Sequence, residues 1–256
     1  MLIINNLYKS FDEKAVLSNI NAVFEPGKVN MIIGQSGSGK TVLLKCIVGL
    51  HVPEAGEVLY NNRNFLKMGK KEIRNLRREQ GMLFQGSALF DSMTVLENVM
   101  FPLNMFSSDN RKKRMERALF CLERVNLEEA ENKYPSEISG GMQKRVAIAR
   151  AIALNPRYLF CDEPNSGLDP KTSLVIDALI RDITEEYNIT TVVNTHDMNS
   201  VMGIGDHIVF INSGIKEWEG TKDGIFTSSN ENLNKFVFAS DLFKDVKNVH
   251  MSNMEG

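Results

Sequence analysis

Residues 34–41 read Gly34-Gln35-Ser36-Gly37-Ser38-Gly39-Lys40-Thr41 and fit G-x-x-x-x-G-K-[ST], a loop whose backbone N–H groups cradle nucleotide phosphates. Its glycines let the backbone curl around an anion with no Cβ in the way. Lys40 is placed to reach the β- and γ-phosphates, and the Thr41 hydroxyl to ligate Mg²⁺. The flanks suit this use. Val29 to Ile33 reads as a buried strand running into the loop, and Thr41 to Val48 as a helix leaving it. The phosphates would then meet a helix N-terminus, where free N–H groups and the helix dipole favour an anion. A nucleoside triphosphate is the ligand this segment is suited to hold.

Composition narrows the rest. With 256 residues, the chain can bury a substantial core as one domain with a subdomain or as two small ones. Its 43% hydrophobic and 24% charged content is that of an ordinary globular protein. A net charge of −2 supplies no general pull toward nucleic acid or anionic lipid. Cys46, Cys121 and Cys161 are scattered without a C-x-x-C pair, which argues for a reducing compartment and against a zinc site or disulfide framework. Four scattered histidines make no metal cluster. No apolar run approaches the ~20 residues of a membrane span, and the start Met1-Leu2-Ile3-Ile4-Asn5-Asn6 lacks a signal peptide's basic and apolar regions. A cytosolic protein is expected, one still able to dock on a membrane partner.

Along the chain, short strands come first: Ile20–Phe24, then Gly56–Tyr60 after a turn at Pro26-Gly27 and a loop holding Pro53. Lys70 to Glu79 reads as a charged helix and Gly81 to Phe84 as a short strand ending at Gln85. Residues 86–153 are mostly helical. Thr94 and Glu97 have capping-box spacing, and Met115, Ala118, Leu119, Leu122 and Val125 recur at helical intervals within 111–125. Strands and helices then alternate to Ile211, which implies a mostly parallel sheet covered by helices. The tail from about Asn230 is Asn-rich around one apolar cluster, Phe236-Val237-Phe238. Two uses are open for that cluster: packing on its own domain or clasping a partner subunit.

Two further segments carry chemistry. Tyr158 to Cys161 is an apolar strand running into Asp162 and Glu163. Asp162 at the strand end can hold Mg²⁺ through water, and Glu163 can polarise a water aimed at a γ-phosphate. Ser139-Gly140-Gly141 opens a long helix with Ser139 as N-cap. Capping alone leaves the second glycine without a reason, whereas an anion approaching the helix N-terminus uses both glycines.

Taken together, the motifs resemble those of the ATP-binding cassette ATPases over nearly the whole chain. In order they are the phosphate loop 34–41, the Q-loop at Gln85, the signature Ser139-Gly140-Gly141-Met142-Gln143, the Walker B strand ending at Asp162-Glu163, the D-loop Ser166-Gly167-Leu168-Asp169, and a switch histidine at His196. Phe11 is similar to the aromatic that stacks on adenine. The resemblance implies an α/β P-loop fold: a RecA-like, mostly parallel sheet with an antiparallel β subdomain and an inserted α-helical signature subdomain. Residues 1–85 and 154–220 would form the nucleotide-binding core, 86–153 the helical subdomain and 221–256 a C-terminal tail. It further implies ATP and Mg²⁺ as ligands. Two cassettes would sandwich two ATPs, each between the phosphate loop of one subunit and Ser139, Gly140 and Gly141 of the other. Gln85 would sense Mg²⁺ and the γ-phosphate, His196 would contact the γ-phosphate, and Asp169 would link the sites across a homodimer.

Two departures from the family pattern stand out. Ile138 precedes the signature serine where the family has Leu, and Met142 fills the usual Gln position, a change that bears on the ribose contacts the resemblance implies. Val42 follows Thr41 where a second hydroxyl is common, which by the resemblance would remove one α-phosphate contact. The run Phe84-Gln85-Gly86-Ser87-Ala88-Leu89-Phe90 through Thr94-Val95-Leu96-Glu97-Asn98-Val99-Met100-Phe101-Pro102-Leu103 is similar to that in the ATPases of the Mla/Mce phospholipid-transport systems. By that likeness, an integral membrane permease docks near the segment after Gln85. The same likeness implies that an Mce-domain lipid-binding protein would join the complex and that the chain would be peripheral on the inner face of the cell membrane. Importers of amino acids or other small solutes and lipoprotein-release systems share most of this frame and stay open. The alternative use of Ala88-Leu89-Phe90 is a small core of the subdomain itself. A soluble cassette in translation or DNA repair fits less well, since such chains carry two cassettes or a large insertion. The basic run Arg111-Lys112-Lys113-Arg114 has no interleaved aromatics and reads as a solvated helix start, so no nucleic-acid partner is expected.

Overall fold

A strand covered on both faces is expected to be apolar nearly throughout, and Val29–Ile33, apolar except for Asn30, is buried at all five residues. The computed structural model describes residues 1–239 and 244–245. In chain order its elements begin with β1 (Leu2–Phe11), β2 (Lys14–Phe24), β3 (Val29–Ile33), α1 (Lys40–Ile47), β4 (Ala55–Tyr60) and β5 (Arg63–Asn64). They continue through α2 (Lys70–Arg78), β6 (Gln80–Leu83), α3 (Val95–Phe106), α4 (Arg111–Glu123), α5 (Gly140–Ile152), β7 (Tyr158–Asp162) and α6 (Pro170–Glu186). Last come β8 (Thr190–Thr195), α7 (Met198–Ile204), β9 (His207–Asn212), β10 (Ile215–Gly220), α8 (Lys222–Thr227) and α9 (Glu231–Val237). The chain folds as two units.

The first unit comprises Met1–Glu25, Val29–Leu66 and the described residues from Asn194 on. It holds an antiparallel sheet in the order β2-β1-β4-β5. Strand β2 begins at Lys14, six residues before the strand read from sequence. Register shifts along β1, with left-handed backbone at Asn6 and Asn19, interrupt the alternation that would have marked it. A two-residue turn with positive φ at Asp12 and Glu13 closes the hairpin, the geometry that matches strand twist, and leaves Phe11 at its tip. Strand β3 runs parallel to β9, from Asn30 opposite His207 to Ile33 opposite Phe210, and β9 pairs antiparallel with β10. The tail helices pack on this unit: Phe236 stacks on Phe210 at 5.6 Å and Phe238 lies 5.9 Å from Phe226. The packing use of the Phe236–Phe238 cluster is therefore realised.

The second unit comprises Pro26–Lys28 and Lys67–Val193. Here β6 pairs in parallel with β7, and β8 lies on the other side of β7. Helices α3, α4 and α5 pack together, and α5 also packs on β6 and α6. Gly81 allows that closeness, since a Cβ there would stand 2.4 Å from the Ala151 carbonyl oxygen. Thr94 and Glu97 form the expected capping box. The basic start of α4 is capped by Asn110, with Arg111, Lys112 and Lys113 exposed. All three cysteines are free and buried. Among the described residues no helix is long and apolar enough to cross a membrane.

Candidate functional site

In the first unit the phosphate loop runs from the end of β3 to α1. Gly34, at φ 151°, is packed so closely that a Cβ would lie 2.1 Å from the Ile211 carbonyl oxygen. Gly37, at φ 81°, has nothing within 4 Å of where a Cβ would be, so its backbone borders open space. Lys40 is 5% exposed and folds back, donating to the carbonyls of Gly34 at 2.9 Å and Gln35 at 3.0 Å. Gly39 caps α1 in a left-handed conformation with no side-chain cap. The Ser38 hydroxyl is buried without a hydrogen-bond partner. A buried unpaired hydroxyl is costly. An open glycine, an uncapped helix start and an orphaned hydroxyl fit an anion in the hollow of this loop.

Asn194, near the end of β8, donates from Nδ2 to Thr41 Oγ1 at 3.1 Å. The sequence marked it only as a strand residue; a polar side chain that is fully buried beside a ligand loop is the signal that singles it out. His196, two residues further, is exposed, and Asp197 behind it caps α7. Phe11 is 40% exposed, with its ring edge-on to His51 at 5.2 Å and Lys9 Nζ 4.8 Å from its centre. Val42 is half-buried in α1.

In the second unit Asp162 ends β7 at 6% exposure. Glu163 follows with φ 48°, a left-handed conformation that costs a non-glycine residue about 1–2 kcal/mol. The Ser166 and Leu168 N–H groups close the next turn on the carbonyls of Glu163 and Asn165, and Asn165 donates to Asp177 at 2.8 Å. Gln85 Nε2 donates to Ser166 Oγ at 3.2 Å, so the Q-loop and D-loop side chains touch. Lys144 of α5, 4% exposed, donates to the Gln85 carbonyl. Burial pushes its ammonium pKa down, while Cys161, Asp162 and Glu163 pull it up. Nothing in the sequence separates Lys144 from the solvated lysines nearby.

Ser139 caps α5 as expected, accepting from Met142 N at 3.3 Å. An open cavity of about 570 Å³ adjoins it, lined by Gly140, Gly141, Met142, Arg145 and Asp169 among others. A Cβ at Gly140 would meet nothing within 4 Å; at Gly141 it would meet Thr172 Cγ2 at 2.6 Å. Asp169 caps α6, accepting from Thr172 N at 3.0 Å and Thr172 Oγ1 at 2.5 Å. After Gln85, Asn98 is fully buried and donates to the carbonyls of Phe90, Met93 and Thr94 while accepting from Phe90 N. Ala88 is exposed, and Phe90, 39% exposed, rests against Phe101 at 4.6 Å. This stretch is a strap held by Asn98, with Ala88 and Phe90 exposed.

The sequence matches the ABC transporter family over residues 17–166. The chain belongs to that family. It is an ATP-binding subunit of the ABC transporter type and an ATPase, with the fold expected from its motifs. It is 38% identical over 237 residues to a methionine import ATP-binding protein, MetN, of Clostridioides difficile, covering 93% of this chain and 74% of the relative. It is 37% identical to the L-cystine import ATP-binding protein TcyC of Bacillus subtilis, covering 90% and 94%. It is 36% identical to the intermembrane phospholipid transport system ATP-binding protein MlaF of Haemophilus influenzae, covering 91% and 89%. Among solved structures, the ATP-binding cassette MJ0796, dimeric in a post-hydrolysis state with ADP and Pi, aligns with TM-score 0.79 and 37% identity over 86% of this chain and 98% of that one. The cbiO1 cassette of Clostridium perfringens, part of the cbiONQ transporter complex, aligns with TM-score 0.82 and 26% identity over 97% of both.

Proposed function

We propose that this chain dimerises on ATP and drives a membrane permease in phospholipid transport of the Mla/Mce type, from the inner face of the cell membrane. The observation that carries the substrate class is the strap after Gln85 in company with the Met142-containing signature, both similar to Mla-type ATPases. The match to MlaF supports it. A second reading, import of an amino acid, is favoured by MetN and TcyC, which are equally similar.

In this reading the loop N–H groups from Gln35 to Thr41, the Ser38 hydroxyl and the Lys40 ammonium hold the triphosphate, and Phe11 stacks on the base. Mg²⁺ keeps most of its ligands as phosphate oxygen and water and needs few from protein. In this reading the Thr41 hydroxyl, the Asp162 carboxylate and the Gln85 amide oxygen would hold it, and all three are the hard oxygens it prefers. When bound, it neutralises charge on the phosphates. Glu163 accepts a proton from the attacking water, and His196 contacts the γ-phosphate. The partner cassette receives Ser139, Gly140 and Gly141 on its own nucleotide, and Asp169 lies toward that interface. Hydrolysis removes the γ-phosphate that favours the closed dimer, and the equilibrium shifts toward the open one.

Purification with native membrane partners in mild detergent tests this. A multi-span permease accompanied by an Mce-domain protein and bound phospholipid is the expected result. A permease with a small-solute binding protein would move the chain to the importers, and no membrane partner would sink both readings.

A further inference from the structure

Two cations of α5 grip the backbone just beyond Gln85. Lys144 donates to the Gln85 carbonyl. Arg150 donates from one guanidinium nitrogen to the Ala88 carbonyl and from the other to the Ser87 carbonyl, each at 2.7 Å. Between these points the chain is strained. Ser87 and Ala88 are consecutive non-glycine residues with positive φ, 61° and 47°. Such backbone persists only where its surroundings over-determine it, and here the guanidinium fork spans both carbonyls of the bend. Further along, Asn98 of α3 fixes the strap at Phe90 and Thr94.

We infer that Lys144 and Arg150 are positioning residues: they clamp the segment 85–88 onto α5, so that the helix presenting Ser139, Gly140 and Gly141 also sets the place of Gln85. Helix α5 is a rigid lever with the signature at its first turn. A shift of α5 must either carry the carbonyls of Gln85, Ser87 and Ala88 with it or break charge-assisted hydrogen bonds in a partly dry setting, where they are strong. Engagement of the signature and alignment of Gln85 then occur as one event. This rests on the reading of Gln85 as a residue that senses the nucleotide.

The test is ATP turnover by the full chain carrying Lys144→Met, Arg150→Met or Gln85→Ala, and the double variants with Gln85→Ala. Each clamp variant is expected to lower kcat roughly tenfold, the scale of one lost charge-assisted hydrogen bond, with KM for ATP within about twofold because the phosphate loop is untouched. In the Gln85→Ala background the same substitutions should have no further effect, since residues acting through one group are not additive. Full additivity would mean that Lys144 acts on Asp162 and Glu163 instead, and would overturn the clamp, as would an unchanged kcat in the single variants. Normal turnover in Gln85→Ala would instead remove the role given to Gln85, and the clamp with it. Should a Met variant lose its cooperative unfolding transition, Arg150→Lys replaces it, because one ammonium cannot match the fork. Its kcat falls, and adding Ala88→Gly, which makes the left-handed bend easy, brings kcat back; no recovery overturns the inference.

Discussion

Gly141 lies so close to Thr172 that a Cβ on it would stand 2.6 Å from Thr172 Cγ2, and Thr172 is itself fixed by Asp169. Its neighbour Gly140 has open space where a Cβ would go. The two signature glycines therefore answer to different demands, one to packing against α6 and one to whatever approaches α5. Gly141→Ala should destabilise the fold by about 1–3 kcal/mol, the usual cost of overpacking. Gly140→Ala should leave the unfolding midpoint unchanged or slightly raised, because alanine suits a helix better than glycine, while ATP turnover falls. Thermal unfolding and phosphate release on the two variants separate these outcomes. A Gly140→Ala protein with full turnover would show that nothing approaches that glycine.

Ser38 carries a buried hydroxyl without a hydrogen-bond partner, on the loop proposed to hold the triphosphate. Removing an unsatisfied buried group relieves a desolvation cost of about 1–3 kcal/mol. Ser38→Ala should thus unfold at the same or a higher temperature without nucleotide, yet bind ATP more weakly. Titration with a fluorescent ATP analogue beside a thermal melt reads both signs. A lower melting temperature together with unchanged affinity would mean that Ser38 serves the fold rather than the ligand.

Much of this site is legible in the sequence because short-range rules carry it. The phosphate loop, the Thr94–Glu97 capping box, the Ser139 cap and the strand ending at Asp162 each need only a few adjacent residues, and all stand where their spacing puts them. What stays hidden depends on contacts far along the chain. The bulges of β1 break its alternation, so most of the first hairpin leaves no pattern to read. The Asn-rich tail shows only one apolar cluster in the sequence. Yet Asn230 caps α9, and Asn230 and Asn232 tie it to Glu217. Lys144 and Arg150 look like ordinary helix cations until the fold brings the carbonyls of 85–88 to them.

Asp169 gives a pH signature. Its hydrogen bonds from the Thr172 hydroxyl and then the Thr172 N–H hold its carboxyl below the usual value. A depressed folded-state pKa contributes stability that is fully present above the unfolded value, about 3.9, and is lost as pH falls through the folded one. The difference in unfolding midpoint between the native chain and Asp169→Ala should therefore be constant near neutrality and shrink below about pH 4. Melts from about pH 3 to 7 decide it; a gap that widens toward acid would contradict the assigned cap.

Glu163 stands in left-handed backbone directly after a buried aspartate. Strain of this kind is retained where position matters more than ease of folding. If Glu163 takes the proton of the attacking water, Glu163→Gln keeps the shape and hydrogen bonding of the side chain but cannot act as a base. Turnover should fall roughly 10²–10⁴-fold, the usual weight of a general base, with nucleotide affinity kept. Because the γ-phosphate then persists, this variant should also accumulate as an ATP-bound dimer, visible as a doubled mass in light scattering. Glu163→Gly is the informative companion. It relieves the left-handed strain, so it should unfold no more easily than the native chain and yet be as slow as Glu163→Gln. Near-normal turnover in either variant would take the base role away from Glu163.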